Sequence, residues 1–345
     1  MAQKNTIRIA IDAMGGDFAP VNEIQGAISA FNSKSSDVDF EIIFVGKEDI
    51  INDAIAKLTP GNLKYTIFHT DDVVTMHDDP TAVIKKKKNS SLYKGIELLT
   101  NDNADAFLSA GNTGAVLSTA TILLGRLKGV SRPTIGTFFP TEKNYPVFVL
   151  DVGGNVDCKP RFLYEFGVMG SIYISNMLGI LNPKIGLLNV GEESSKGNEA
   201  ALQAHELLSK SDLNFIGNIE GSDIFKVKAD VAVCDGFTGN IILKFAESFV
   251  GLLKNRFRQF AKKNILNKIM IALFYPIFKK VLKDFDYQNY GGVPLLGVNG
   301  VVIIGHGKSS PLAIQNMIYK AIEQYQKDIN KKIEKALNQN ILQQN

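Results

Sequence analysis

Short apolar runs, each ended by Gly, Asp or Asn, recur along this 345-residue chain and constrain its fold more than any other feature. Runs without polar alternation are typical of strands that are buried on both faces of a parallel sheet. Longer stretches with helical spacing lie between them, so the sequence predicts an α/β fold with a doubly wound, mostly parallel sheet. The predicted strands are 7–11, 40–45, 106–108, 147–150, 185–188, 231–233 and 301–304, and the predicted helices include 163–177, 200–208, 241–253 and 312–325.

The composition describes a folded chain that carries no strong overall charge. With 45% hydrophobic and 21% charged residues, the chain is too apolar to be disordered and long enough to bury a large core. Its net charge of +3 excludes the broad basic field that holds duplex nucleic acid, so no nucleic-acid partner is expected.

No linker, low-complexity block or solenoid repeat divides the chain before residue 330, so residues 1–330 are predicted to form a single α/β catalytic unit. Residues 331–345 are predicted to form a polar C-terminal tail, because six of the last ten residues are Asn or Gln.

The sequence also predicts a cytoplasmic location. A polar leader runs directly into the first strand without the pattern of a secretion signal. The longest nearly uninterrupted apolar stretch, 269–278, contains Pro276 and has 10 residues, whereas a bilayer span needs about 20. The two cysteines, Cys158 and Cys234, are too few for a disulfide scaffold or a Cys-rich zinc site, and we expect them to be reduced thiols.

Polar residues and glycines gather just after the predicted strands, where loops and helix N-termini form the ligand sites of open α/β sheets. Free N–H groups at such helix starts bind anions, although tight turns and ordinary helix caps would show the same residues. The candidates are Asp12, Gly15 and Gly16 after the first strand; Asn112, Thr113 and Gly114 after 106–108; Asn155 after 147–150; and Asp235, Thr238, Gly239 and Asn240 after 231–233.

Two further loops carry basic candidates. Lys196 lies in the loop after 185–188, together with two acidic residues. His306 and Lys308 lie in a loop that ends like a nucleotide-binding P-loop, but Val302 stands where that motif needs its first glycine. The P-loop is therefore excluded, as is a dinucleotide fingerprint, and His306 and Lys308 remain candidates for contact with a smaller anion.

Two charge clusters are open to more than one interpretation. The His and Asp residues between His69 and Asp79 lack any recognised metal-ligand spacing, so we predict a solvated loop and no metal site. Four consecutive lysines, 85–88, cannot all lie on one face of a helix. Either one of them faces an anionic ligand or partner, or the four form a solvated basic surface.

The stretch 254–285 is predicted to be a basic amphipathic helical segment, kinked near Pro276. It has nine basic residues and no acidic residue between Lys254 and Lys283, and every fourth residue from Phe257 is apolar. This pattern suits an anionic membrane surface. A dimer contact or a core face is the alternative.

Taken together, these motifs resemble the PlsX family of bacterial acyl-ACP:phosphate acyltransferases, in order from about residue 7 to about residue 325. Gly154 stands where many relatives have alanine. The residues that carry the resemblance are 12–17 with Ala19 and Pro20, 86–91, 109–115, Arg132-Pro133, 151–155, 191–198, 235–240, Tyr290-Gly291-Gly292, Leu295-Leu296-Gly297 and 305–307.

The resemblance implies a cytoplasmic homodimer with a fold similar to phosphotransacetylases and isocitrate dehydrogenases, here with the amphipathic segment as a helical protrusion. The implied reaction joins acyl-ACP and inorganic phosphate to give acyl phosphate and free ACP, without a cofactor. The product would pass to a membrane-bound glycerol-3-phosphate acyltransferase in phospholipid synthesis.

Attack of phosphate on a thioester needs an anion site and a polarised carbonyl, but neither a metal nor a covalent nucleophile. We expect Asp12, Lys196, Asp235 and His306 to be catalytic, with the aspartates orienting donors. The glycine-rich loops and Lys308 are expected to bind phosphate or the oxyanion. The basic patches 85–88 and 254–263 are candidates for contact with acidic ACP.

Three other functions stay open on sequence alone. A phosphotransacetylase-like enzyme would act on acyl-CoA. A dehydrogenase of the related fold would need nicotinamide, for which the fingerprint is missing. A non-catalytic scaffold would bind anionic membranes through Lys254 to Lys283.

Overall fold

The structure is a computed structural model that describes residues 6–33, 38–143, 145–281 and 290–343. Eleven strands in these residues form one sheet with the order β3-β2-β1-β4-β11-β10-β5-β6-β9-β7-β8. The strands are β1 (Thr6–Asp12), β2 (Asp39–Gly46), β3 (Tyr65–His69), β4 (Ala106–Ser109), β5 (Thr134–Phe139), β6 (Val147–Leu150), β7 (Ile185–Leu188), β8 (Phe215–Ile219), β9 (Val231–Val233), β10 (Val293–Leu296) and β11 (Val301–Ile304).

Helices separate most of the strands, as the α/β prediction requires. Each of the four predicted helices is present, and each is longer than the predicted range. The helices are α1 (Val21–Asn32), α2 (Glu48–Leu58), α3 (Pro80–Lys86), α4 (Ser91–Thr100), α5 (Thr113–Leu123), α6 (Pro160–Met177), α7 (Glu199–Ser209), α8 (Gly221–Lys226), α9 (Gly236–Ala261), α10 (Ile265–Val281), α11 (Pro311–Gln326) and α12 (Ile329–Gln343).

The sheet consists of two parallel blocks joined by antiparallel strands. The first block is β3-β2-β1-β4-β11 and the second is β6-β9-β7-β8. Between them, β10 is antiparallel to β11 and to β5, and β5 is antiparallel to β6. The sheet is therefore mostly parallel, as predicted. Three reversals leave the two blocks running in opposite directions, so their strands end at opposite edges of the sheet.

Helices cover both faces of the sheet, which explains why its strands are continuous apolar runs. All four residues of β4 are buried. Ala106 and Leu108 belong to a core that includes Ile24 of α1 and Ile314 of α11. Phe107 points to the opposite face and belongs to a separate core with residues of α4 and α5. The doubly wound arrangement follows from this alternation, because successive strand residues point to opposite faces.

The C-terminal residues differ from their prediction. Residues 331–345 were predicted to be a polar tail, but α12 extends to Gln343. Ile329, Ile333 and Leu337 are buried in the same core as residues of α6, and they recur at four-residue spacing. The prediction used the polar composition of this stretch and overlooked the narrow apolar stripe that fixes the helix to the domain.

The predicted amphipathic segment covers the last eight residues of α9 and the whole of α10. These helices pack against each other, with the rings of Phe257 and Phe278 4.7 Å apart. The helix α10 continues through Pro276, and residues 282–285 of the predicted segment lie outside the described residues. No helix of the described residues is long and apolar enough to cross a membrane.

Candidate functional site

The first group of candidate residues surrounds the carboxyl end of β1. Asp12 is buried and accepts hydrogen bonds from the Ser109 hydroxyl, at 2.7 Å, and from the Met14 N–H, at 3.2 Å. Burial raises the pKa of Asp12, while its hydrogen bonds lower it. A Cβ on Gly15 would lie 2.5 Å from the Asp12 carboxylate and 3.0 Å from the Gly111 nitrogen, so only glycine fits there. Asp12 thus orients the loops that follow β1 and β4.

Asn112 begins α5 as a capping residue. Its side-chain oxygen accepts the N–H of Ala115 at 3.1 Å, and its amide nitrogen donates to carbonyls of the preceding 75–78 loop. This is the capping interpretation that the sequence left open. Thr113 is exposed in the first turn beside Gly114, where helical N–H groups have no intrahelical acceptor and can bind an anion.

The loop after β11 is joined to the same group. The Gly307 carbonyl accepts the Asp17 N–H at 2.7 Å, and the Ser109 carbonyl accepts the Gly305 N–H at 2.8 Å. The Lys308 N–H donates to Nδ1 of His306 at 3.1 Å. Nδ1 is therefore the acceptor nitrogen, and a neutral imidazole carries its proton on Nε2. Partial burial lowers the pKa of His306, which favours the neutral ring.

The second group surrounds the carboxyl end of β6. Asp151 is fully buried and accepts four hydrogen bonds, from the N–H groups of Ile135, Gly154 and Asn155 and from the Asn155 amide. Burial raises the pKa of Asp151, and these bonds oppose the rise. The Asn155 amide also donates to the Pro133 carbonyl at 2.7 Å. Both bonds of that amide hold the loop in place, although the sequence predicted Asn155 to bind substrate.

The helix α9 begins against this second loop. Asp235 caps it by accepting both the N–H and the hydroxyl of Thr238, each at 2.8 Å. A Cβ on Gly239 would lie 1.8 Å from the Asp151 carbonyl oxygen, and a Cβ on Gly153 would lie 3.5 Å from Asn240. The helix start is thereby pressed onto the 151–155 loop.

The same helix connects the two groups. The charges of Lys244 and Glu247, which pair with each other at 2.9 Å, act on His306. Asn240, Lys244 and Glu247 share one face of α9 by helical spacing. This face of α9 therefore lies within electrostatic range of the His306 loop. Because strand direction reverses within the sheet, the candidate residues fall into two groups at opposite edges, and α9 extends from the second group toward the first.

Lys196 lies apart from both groups. Its side chain is exposed, and its stem runs over Gly191 within the loop that follows β7. The loop is closed by bonds from the Lys196 N–H to the Glu193 carbonyl and from the Asn189 amide to the Lys196 carbonyl. The structure describes no contact between Lys196 and His306.

A cavity of about 870 Å³ lies beside the first turn of α9, between α6, β7 and α7. Its lining comes from segments that are far apart in the sequence, so no local pattern indicates it. The lining is largely apolar, including Leu163, Leu187, Val190, Phe237 and Ile242, and the polar residues around it are Asp157, Asn189, Asn198, Asp235 and Thr238.

Both cysteines line this cavity. Burial and the nearby charge of Asp151 raise the pKa of Cys158 to about 12, and burial also raises the pKa of Cys234. A thiol attacks an acyl group as the thiolate, so neither cysteine is activated as a nucleophile.

The two charge clusters are largely accounted for by local bonds. Lys87 turns back to Asp78 at 2.7 Å, and this bond lowers the pKa of Asp78 to about 2. Asp79 caps α3. No group of three or more His, Cys, Asp or Glu residues suited to a metal ion occurs in the part of the chain that the structure describes. Lys85, Lys86 and Lys88 remain exposed as a basic surface.

The family model described as "Fatty acid synthesis protein" matches residues 7–332. The chain belongs to this family. It is 46% identical to the phosphate acyltransferase of Nitratiruptor sp. over 331 residues and 43% identical to that of Dictyoglomus turgidum over 333 residues. Each alignment covers 96% of this chain and 98% of the relative, and both relatives are named as enzymes. The predicted resemblance is confirmed.

Solved structures support the fold class. The EutD phosphotransacetylase from Staphylococcus aureus gives a TM-score of 0.59 at 16% identity, and a phosphotransacetylase from Streptococcus pyogenes gives 0.60 at 18% identity. Each comparison covers 93% of this chain and 94% of the other. At these identities the likeness concerns the fold, and it confirms the predicted similarity to phosphotransacetylases.

The contact between α9 and the 151–155 loop predicts a sharp difference between two glycines of one helix. Gly239→Ala places a methyl group against the Asp151 carbonyl and is expected to lower the free energy of unfolding by about 3 kcal/mol, as overpacking does. Gly251→Ala meets open space and is expected to raise it by up to about 1 kcal/mol through helix propensity. Chemical denaturation of both variants measures this difference, and equal effects would contradict the contact.

Proposed function

We propose that this enzyme transfers a long-chain acyl group from acyl-ACP to inorganic phosphate, yielding acyl phosphate and free ACP for phospholipid synthesis. The observation that carries the proposal is the position of α9. Its first two turns border an apolar cavity at Thr238 and Ile242, and Lys244 on the same helix lies within electrostatic range of His306. The N-terminal part of α9 thus adjoins both a site that suits an acyl chain and a site that suits an anion.

In this proposal phosphate binds between the His306 loop and α9. The glycine loop of Gly15 and Gly16 and the start of α5 adjoin the His306 loop, and Lys308 supplies an exposed positive charge. Backbone N–H groups and a cation suit phosphate, whereas a bare carboxylate repels it. Asp12 accordingly keeps the role of orienting the loop, and Asp235 that of capping α9.

The acyl chain occupies the cavity, with its thioester near the N-terminus of α9. The positive end of the helix dipole and the N–H groups there polarise the carbonyl, which is the role expected for Thr238, Gly239 and Asn240. Lys196 borders the same side of the molecule and can approach the phosphopantetheine arm of ACP. An apolar cavity with a few polar groups is the usual design of a site for such a ligand.

The chemical step is a direct transfer. A phosphate oxygen attacks the carbonyl carbon and forms the new C–O bond, and the tetrahedral intermediate then collapses with cleavage of the C–S bond. The proton of the attacking phosphate passes through solvent to the leaving thiolate, which gives acyl phosphate and free thiol. The Nε2–H of the neutral His306 ring donates a hydrogen bond to the negative charge that develops. The raised pKa values of both thiols support a mechanism without an acyl-cysteine.

ACP is proposed to dock on the basic surface of Lys85, Lys86 and Lys88. This surface follows in sequence the 75–78 loop that contacts Asn112. The basic residues of 254–263 offer a second candidate surface. ACP is acidic, so its approach would be steered by charge. An acyl-CoA substrate is the second candidate, because the structurally similar solved proteins are phosphotransacetylases.

We also infer that the enzyme is a cytoplasmic homodimer that touches the membrane peripherally. The helix α9 exposes an apolar stripe at four-residue spacing, Ile241, Phe245 and Phe249, that suits a second copy of the chain. Leu266 and Leu273 of α10 are 72% and 71% exposed, and basic residues flank them. A membrane contact would release the product close to a membrane-bound acyltransferase that uses glycerol 3-phosphate.

The reaction is tested with palmitoyl-ACP, with and without phosphate, by following free ACP thiol and hydroxylamine-trappable acyl phosphate. Both products are expected only with phosphate, and His306→Ala is expected to lower kcat about 100-fold, as the loss of one donor to a developing charge does. His205→Ala, at a half-buried histidine of α7 that packs on Phe215, is the control and should leave kcat unchanged. Thiol release without phosphate would mean a thioesterase, and preference for palmitoyl-CoA would favour the acyl-CoA alternative.

Membrane contact is tested by sedimentation with phosphatidylglycerol vesicles. The wild-type protein is expected to sediment with them, and Leu273→Glu to lose this binding, because a charge cannot enter the interface with the apolar face of α10. Leu181→Glu, at a residue that is 94% exposed outside these helices, should bind like the wild type. If light scattering shows that Leu273→Glu is a monomer whereas the wild type is a dimer, α10 forms the contact between subunits instead of a contact with the membrane.

A further inference from the structure

A carboxyl group that the mechanism above does not use lies directly beneath the phosphate loop. Glu23, in the first turn of α1, is only 1% exposed. Its Oε1 lies 2.5 Å from the position that a Cβ would take on Gly16. Its Oε2 is buried and has no hydrogen-bond partner among the described residues. An acidic side chain in this position is unusual, because a buried carboxylate needs a compensating partner.

The surroundings of Glu23 favour its neutral form. Burial, together with the charge of Asp12 on β1, raises the pKa of Glu23 to about 8, although a hydrogen bond from its own backbone N–H opposes the rise. The helix α11 packs on α1 at Gly26 through Ile314 and the Pro311 carbonyl, which carry no charge. The loop before α11 meets α1 through a bond from the Asn22 amide to the Ser309 carbonyl, and its Lys308 is exposed. No described cation offsets the charge that Glu23 would acquire.

We propose that Glu23 is a positioning residue that couples the phosphate loop to pH: its neutral carboxyl packs under Gly16 and leaves the loop able to hold phosphate, and its ionised form rejects phosphate. Two effects produce the rejection. First, a carboxylate beside Gly16 places a negative charge close to the bound anion and repels it. Second, the unpartnered oxygen of the carboxylate needs a hydrogen-bond donor, so it draws the Gly16 loop or a water molecule toward itself and changes the loop that holds phosphate. The inference rests on the proposed phosphate site and adds its regulation.

The test compares the KM for phosphate of the wild type and of Glu23→Gln between pH 6.5 and 9. Glutamine has the shape of the neutral acid and does not ionise. If ionised enzyme does not bind, the wild-type KM rises about tenfold relative to the variant at pH 9, because only the neutral fraction is competent. Phosphate titrates identically in both assays, so the ratio of the two KM values isolates Glu23. A ratio that stays constant across this range would overturn the proposal.

A second measurement needs no activity. Glu23 keeps its proton up to about pH 8 in the folded state, whereas the unfolded carboxyl loses it near its ordinary pKa of 4.5. Between these two pH values the folded state binds more protons than the unfolded state, so the free energy of unfolding falls as pH rises. The Tm of Glu23→Gln should therefore exceed that of the wild type by an amount that grows from pH 5 to pH 8. An invariant difference would contradict the neutral buried acid.

These two arms separate the inference from the proposed function. If the protein transfers no acyl group but the Tm difference grows with pH, the proposed function fails while the neutral buried Glu23 stands. Phosphate binding is then measured by how much phosphate raises the Tm, in place of KM. Glu48→Gln, at an exposed first-turn glutamate of α2, is the matched control and should change neither profile. Should Glu23→Gln fold poorly, Glu23→Met, which is apolar and of similar length, is expected to show the same flat KM profile.

Discussion

Strand direction reverses at β10 and β5, and the arrangement of both halves of the molecule depends on that reversal. A uniformly parallel sheet would bring all the glycine-rich loops to one edge. Here β1, β4 and β11 carry one set, while β6, β7 and β9 carry another at the opposite edge. The helix α9 begins in the second set and approaches the first at Lys244 and Glu247. An apolar cavity borders the start of that helix, and the His306 loop lies near its Lys244.

Both halves use a buried carboxylate to hold their loops. Asp12 receives the Ser109 hydroxyl and a backbone N–H, and Asp151 receives four N–H bonds. Burial opposes the ionisation of both, and the donors offset part of that cost. Such residues are more useful as supports than as reactants, since they are sealed from substrate. Glu23 differs from them because one of its oxygens has no donor among the described residues.

Local sequence patterns identified the central strands because these are buried on both faces and therefore read as apolar runs. They missed β10, which contains Pro294, and β5, which contains Gly136, since both residues weaken a strand pattern. They missed the edge strands β3 and β8, which are partly exposed and less uniformly apolar. The polar composition after residue 331 concealed the apolar stripe of α12.

The chemistry was predictable in part. The order of the motifs pointed to the correct family, and the glycine-rich strand ends lie in the two groups of loops described above. The individual roles of Asn112 and Asn155 were not predictable, because whether an amide caps a helix, braces a loop or meets a ligand depends on partners distant in sequence. The cavity and the buried Glu23 arise only when α6, α7 and α9, or α1 and the Gly16 loop, come together.

Direct transfer of the acyl group to phosphate is the central claim, and isotope exchange tests it most directly. Labelled free ACP is mixed with unlabelled palmitoyl-ACP and enzyme in the absence of phosphate, and label in the palmitoyl-ACP is measured. Direct transfer predicts no exchange until phosphate is added, because acyl phosphate is then the only intermediate through which the acyl group can return to ACP. Exchange without phosphate would require an acyl-enzyme and would contradict the account.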